Sequence, residues 1–450
     1  MFTSLRTRNY RLFAAGQVVS NSGTWMQRTA QDWLVLEVSH GSGTALGIAA
    51  GLQFLPLLLF SLWGGAIADR FPKRRILLIT QSLMGALALV LGILALTGTV
   101  RLWQVYLLAL ALGMVTVVDN PTRQTFVTEM VGQTDMPNAI ALNSAIFNLA
   151  RIAGPAIAGI VIGLVGTPTA FLVNAASYGA VITGLLLMRP GELLPIKRVA
   201  RAKGQLREAL NYLRGAPRIW VPMTMLFFVA TFGMNFQVTT ALMSRGVFHT
   251  GAAAFGLAST AYAAGALGGA LLAARRRRPS ARLQVAVALA FGILETASGL
   301  MPAYWAFLLL LLPTGLSVVL YTTAANSATQ LGTDPQMRGR VMGVYMLVFL
   351  GGAPIGSPLI GWIAEQFGPR MSLISGGLVS AIAAIVAGVV LSRATGTGMR
   401  AGLRSLAPYR GGVRGRRCPA PKQTSKPPPE RLPRRGSQRR SGPGLLPMTA

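Results

Sequence analysis

Gly65-Ala66-Ile67-Ala68-Asp69-Arg70-Phe71-Pro72-Lys73-Arg74-Arg75 separates two long apolar runs with five charges, four of them basic. The run before it, 43–68, and the run after it, 75–96, are each long enough to cross a hydrocarbon core as a helix of about 20 residues. A charged turn this short makes the two helices antiparallel neighbours and keeps the turn itself in water. Working outward in both directions, the same reading recurs at 10–36, 102–121, 139–164, 169–188, 219–244, 251–274, 282–300, 303–325, 340–364 and 371–392. Composition agrees: the 450 residues are 52% hydrophobic and 12% charged, with mean hydropathy +0.51, the profile of a chain dissolved mostly in lipid. The fold class is therefore an all-α membrane protein of twelve transmembrane helices. The one long connector, 189–218, divides it into halves at 1–188 and 219–393, followed by a basic Arg/Pro/Gly-rich tail, 394–450.

Charge sets the topology. Of the net charge of +30, +29 lies in segments on one side of the twelve spans: +3 at 1–11, +3 at 69–75, +6 at 189–218, +5 at 275–282 and +12 at 394–450. Loops on the other side hold only Arg101, Arg245 and Arg370 as bases. The positive-inside bias places both termini and the connector in the cytoplasm, and the chain as a multi-pass protein in the cell membrane. The tail lacks apolar periodicity and cannot bury enough surface to fold alone. It reads either as an electrostatic anchor to anionic headgroups or as an extension without a role. Residues 10–36 are too long, and with Arg28 and Asp32 too polar, for a cleaved signal, so the N-terminus is expected to be retained.

Several function classes fall on residue content. One cysteine, Cys418, and two histidines, His40 and His249, leave no disulfide framework and no Cys/His metal cluster. None of the five lysines precedes Ser or Thr, so a phosphate-binding loop is absent. No nucleophile–base pair stands out, and the residues call for no catalytic group, cofactor or metal. With the excess charge assigned to topology, nucleic acid is not an expected partner.

The second half repeats the first. Asp135 and Asp334 are 199 residues apart, as are Pro155 and Pro354, in spans five and eleven. The basic turn 70–75 has a counterpart at 275–278. Glycines at four-residue steps line one face of span two (Gly43, Gly47, Gly51), five (Gly159, Gly163), eight (Gly265, Gly269) and eleven (Gly352, Gly356). Such faces let helix backbones approach closely where lipid supplies no hydrophobic drive.

These residues resemble the major facilitator superfamily. The quoted turn is similar to the signature between that superfamily's second and third helices, departing at Pro72, where glycine is usual. Gly154-Pro155 followed by Ala158-Gly159 resembles the Gly-Pro motif of antiporter-type exporters. Asn21-Ser22-Gly23-Thr24-Trp25-Met26-Gln27, Asp119-Asn120-Pro121-Thr122-Arg123-Gln124 and Pro354-Ile355-Gly356-Ser357-Pro358 resemble the branch that contains the enterobactin exporter. The resemblance implies the major facilitator fold, with parallel halves and a central site near the bilayer midplane. It implies that spans one, four, seven and ten line the cavity, while two, five, eight and eleven meet across the halves. Gly154, Pro155, Gly159, Gly352, Pro354 and Gly356 would then lie on the interface helices, and Gly352→Leu should insert normally yet transport poorly.

Charges at membrane depth are costly, so each is a functional candidate. Asn21, Trp25, Arg28 and Asp32 share one face of span one. Asp32 with Arg28 reads either as the proton-coupling pair or as a permanent ion pair closing the outer end of the cavity. Arg151, on one face with Ser144 and Asn148, could meet an anionic substrate group or a carboxylate such as Asp119. Asn235, Gln237, Tyr321, Asn326 and Tyr345 could supply further cavity contacts or be satisfied core groups. Gly65, Asp69, Arg70, Lys73, Arg74 and Arg75 read as a cytoplasmic gate whose charges bond helix ends. Glu295 in span nine is expected at an outer edge. The function these residues support is proton-coupled efflux of a small organic compound, drug-like or siderophore-like, by alternating access. Its partners would be that substrate, protons and membrane lipid. Uptake or uniport, and a non-transporting receptor or scaffold using the basic tail, are the alternatives.

Overall fold

The computed structural model describes residues 3–194, 205–275 and 280–395; the tail beyond 395 and the counterpart turn at 276–278 lie outside the described residues. Helices α1 (Arg8–Val38), α2 (Gly43–Arg70) and α3 (Lys73–Leu96) follow in succession. α1 is polar for a membrane helix, but Gln17, Gln27 and Gln31 are buried, so its amides face protein and not lipid.

Helix α4 (Leu102–Val165) has 64 residues. At 1.5 Å per residue a straight helix would run about 96 Å, three times the hydrocarbon core, so it must double back. It does so at Gly132, whose φ of 71° is open to glycine at little cost. The first limb is span four and the second span five. The expected end of span four at Pro121 is thus corrected: the helix runs on for another turn or more. Pro121 cannot donate to the carbonyl of Val117, and Gly64 of α2 leaves the space in which that carbonyl lies.

The sixth crossing is α5 (Thr167–Leu186), and a short amphipathic helix, α6 (Gln205–Arg214), stands in the connector. It buries Ala209 and Leu213 and ties itself to the second half through Glu208–Arg340 at 2.7 Å. Span seven is interrupted. Helix α7 (Pro217–Phe228) passes into a π-helical turn (Val229–Gly233), then α8 (Phe236–Leu242) and a second π turn (Met243–Val247). The remaining crossings are α9 (Ala252–Ala274), α10 (Ala281–Leu300), α11 (Tyr304–Gly332), α12 (Arg338–Phe367) and α13 (Pro369–Thr395). Counting α4 twice and α7–α8 once, the described helices make twelve crossings in two sets of six.

The two sets pack alike. α2 lies on α4 and α3 on α5 in the first; α9 lies on α11 and α10 on α13 in the second. Tight turns at Gly166 (φ 87°) and Gly368 (φ 90°) open the last helix of each half. Between halves, α2 packs on α12 and the second limb of α4 on α9. A Cβ on Gly43 or Gly47 would collide with the carbonyls of Gly361 or Ser357, and one on Gly256 with the carbonyl of Pro155. Two of the expected glycine faces look elsewhere. Gly352 and Gly356 pack on Ala230 and Thr231 of span seven, and Gly265 and Gly269 on Leu312 and Leu316 of α11, all inside the second half. Four-residue spacing selects a helix face; which neighbour that face meets depends on the helix's rotation.

Candidate functional site

The halves are joined at the end carrying the 39–42 turn. An apolar cluster draws Trp33, Leu46 and Ala158 from one half and Val238, Phe255 and Ala364 from the other. Trp33 stacks on Phe255 with ring centroids 6.2 Å apart, and the Arg245 guanidinium lies 5.9 Å from the Trp33 ring. Glu365 of α12 accepts from Ser42 Oγ at 2.8 Å and from the Thr44 amide at 2.9 Å, so one half's carboxylate caps the first turn of the other's helix. Contacts continue to mid-span, where Thr260 Oγ1 donates to the Ile152 carbonyl at 3.2 Å. This latch was not foreseen, although Ser42 at the head of an apolar run is a readable cap.

At the opposite, basic end, Lys73 and Arg74 bond within their own half, and Arg340 bonds to the connector. Lys73 pairs with Glu129 at 2.5 Å. Arg74 donates to the carbonyls of Leu185 at 2.7 Å and Leu186 at 3.1 Å, neutralising the C-terminal end of α5. Arg70 lies 6.0 Å from the Phe71 ring; Asp69, Arg70 and Arg75 are exposed and Gly65 is buried.

Between these ends lie the charges of spans one, four and five. Arg123 pairs with Asp119 one turn away and donates to Gln17 at 2.9 Å and Asn21 at 3.3 Å on α1. Asp119 also accepts from Thr80 at 2.7 Å and Gln81 at 2.8 Å of α3, and is wholly buried. Asp119 is therefore neither a cavity wall nor the partner of Arg151. Its partner, Arg123, was hidden because Pro121 read as the end of the span.

Arg28 and Asp32 do not form the expected ion pair. The Arg28 guanidinium lies 4.9 Å from the Trp25 ring and 5.8 Å from Phe54, held by aromatic faces. Asp32 is 6% exposed and its Oδ2 has no hydrogen-bond partner. Trp25 meets Phe147 edge-on at 5.7 Å and packs against Gly154. Arg151 is partly exposed, with Tyr262 of α9 in electrostatic reach, and Asn148 bonds its own helix at Ser144.

In the second half, three of the five polar candidates belong to the core. Asn235 donates to the Thr231 carbonyl at 2.7 Å and accepts from Ser357 at 2.8 Å, bracing the break in span seven. Tyr321 is fully buried, and Tyr345 donates to the Thr322 carbonyl at 3.3 Å. Gln237 and Asn326 keep partial exposure. Glu295, expected at an edge, is 1% exposed and enclosed by helices of its own half.

The fold, the latch and the charges at depth can be set beside known proteins. A family model described as transmembrane secretion effector matches residues 1–402. The chain belongs to this major facilitator family. The chain is 28% identical over 249 residues to the staphyloferrin A transporter of Staphylococcus aureus, covering 54% of this chain and 62% of that one. It is 26% identical over 392 residues to the multidrug efflux pump Tap of Mycolicibacterium fortuitum, covering 84% and 93%. Its fold matches the crystal structure of a bacterial homologue of the human lysosomal transporter Spinster in an inward-facing, occupied conformation. That match has a TM-score of 0.68 at 15% identity, over 85% of this chain and 96% of the other. The chain is a multi-pass membrane transporter and not an enzyme.

Proposed function

We propose that the chain exports a small organic compound from the cytoplasm in exchange for protons, by rocking its halves about a central cavity in the cell membrane. The observation that carries the reading is the uneven seam. The halves are latched from the 39–42 end to mid-span, while at the basic end Lys73 and Arg74 bond within the first half and Glu208 of the connector pairs with Arg340 of the second. With the basic end cytoplasmic, this is the state that accepts substrate from inside. Arg28, Asp32 and Arg151 supply the charges at depth: Asp32 is the proton-exchanging carboxylate, and Arg151 meets an acidic group of the substrate. Gln237, Asn326 and Trp25 are the uncharged contacts retained on the cavity side. Asp69 and the bases after it hold the cytoplasmic ends of spans two, three and six. The division at 189–218 leaves each half free to move as a unit. A multidrug pump and a siderophore transporter among the relatives support a drug-like or siderophore-like substrate.

The test is accumulation of ethidium and of staphyloferrin A in inside-out vesicles containing the full chain. Accumulation that collapses with the pH gradient is expected for at least one of them. Equilibration unaffected by the gradient would make the chain a uniporter.

A further inference from the structure

We propose that Glu295 of α10 is a second proton-binding site, set in the C-terminal half behind the break in span seven. The proposal rests on the proton-linked reading above for its transport consequence, but its structural basis is separate.

Glu295 is 1% exposed, and its Oε2 has no hydrogen-bond partner. It sits five residues before the end of α10, about 8 Å in from the helix terminus at 1.5 Å per residue, hence at membrane depth. Two glycines make room for it. A Cβ on Gly233 would lie 2.9 Å from Oε2, and one on Gly376 of α13 would lie 2.8 Å from Oε1. That same Gly376 Cβ would stand 2.6 Å from the carbonyl of Phe232, so the carboxyl and a main-chain acceptor flank one point. Gly233 and Phe232 belong to the π turn, after which Met234 and Asn235 leave helical geometry. π turns and broken membrane helices recur where a site must open.

The carboxyl faces no cation among the described residues. Its neighbours are Ser380 of α13, Thr296 and Phe291 of its own helix, and the π turn, which carries no titratable side chain. From α9, Tyr262 is the titratable group in electrostatic reach, and Tyr262 is also in reach of Arg151 across the halves. Tyr262 is held in place by stacking on Phe236 at 4.3 Å. An isolated carboxylate in such surroundings is far costlier than the neutral acid, so the enclosed state holds a proton. Opening at the π turn would admit water and let the proton leave.

Infrared pH-difference spectra of the full chain, reconstituted in vesicles, test this directly. The wild type should show titrating protonated-carboxyl C=O intensity; Glu295→Gln should delete a component of it that Asp32→Asn leaves in place. Titrating intensity left unchanged by Glu295→Gln, or no titrating band, would overturn the proposal. A band removed by sodium and not by alkali would overturn it too, making the site one for a metal cation. In transport, Glu295→Gln should cut gradient-driven ethidium accumulation about tenfold or more. A wild type that shows the band but no gradient-driven transport would refute the proton-linked function and leave the site standing.

Discussion

In the N-terminal half, Asp119 and Arg123 neutralise one another between α1, α3 and α4, Arg28 lies against Trp25 and Phe54, and Arg151 faces Tyr262. The C-terminal half buries a carboxyl, Glu295, behind a broken helix, and a neutral Asn235–Ser357 bond. The helices of the two halves pack in matching pairs, so the difference is chemical and not architectural. A duplicated backbone preserves the contacts that close a six-helix unit. Side chains at depth are free to diverge, because only burial and partners constrain them. Buried cations and their partners have collected in one half, and the break in span seven lies in the other.

The comparison breaks hardest at Arg123. Arg123→Ala leaves Asp119 buried without its cation, and a loss of about 3–5 kcal/mol is expected from stripping one member of a buried pair. Thermal unfolding in detergent would measure it. Removing the hydroxyl in Ser357→Ala, the counterpart on the neutral side, should cost nearer 1 kcal/mol, the size of an ordinary hydrogen bond. Equal losses would erase the contrast between the halves.

Gly47 and Gly352 separate the seam from the interior of a half. Gly47→Leu should reach the membrane with its helices folded, yet lose transport about tenfold, equivalent to about 1.4 kcal/mol, because the latched end no longer closes. Gly352→Leu should lower the melting temperature of the protein, since it pushes on Ala230 within one half. Normal stability of Gly352→Leu would return that glycine to the moving interface.

Smaller effects come from the latch and the aromatic cradle. Ser42→Ala removes a cap worth about 1 kcal/mol that also anchors Glu365, and should raise labelling of a cysteine at 45 from outside the cell. Unchanged labelling would remove Ser42 from the latch. Arg28→Lys keeps the charge but loses the flat contact with Trp25 and Phe54, for an expected drop of about 0.5–1 kcal/mol in stability. If Arg28→Lys is instead as damaging as Arg123→Ala, Arg28 acts through a hydrogen bond and not through its rings.

Much of this was legible beforehand, and the misses have identifiable causes. The span count and the six-plus-six division follow from run lengths and one long connector. The repeat showed in two landmarks at one offset. Arg123 was missed because proline at 121 suggested the end of a helix, whereas a membrane helix keeps its course through proline when a neighbour such as Gly64 accommodates the freed carbonyl. Glu295 was expected at an edge because its position along α10 says nothing of rotation about the axis. Gly352 and Gly356 had the right spacing for a close contact and met span seven instead of span two for the same reason.

What the amino-acid sequence determined alone is the order and number of crossings, the basic side and the duplication. Each depends on properties that accumulate along the chain: apolar length, charge per loop and recurrence at a fixed offset. Which charges pair, which stand alone and where the halves are latched were decided only by the tertiary structure. A partner for Asp119, an aromatic cradle for Arg28 and an enclosed site for Glu295 each depend on a helix's rotation and on neighbours distant in the chain. At membrane depth, with no water to take the place of a missing neighbour, those neighbours decide whether a charge is structural or works.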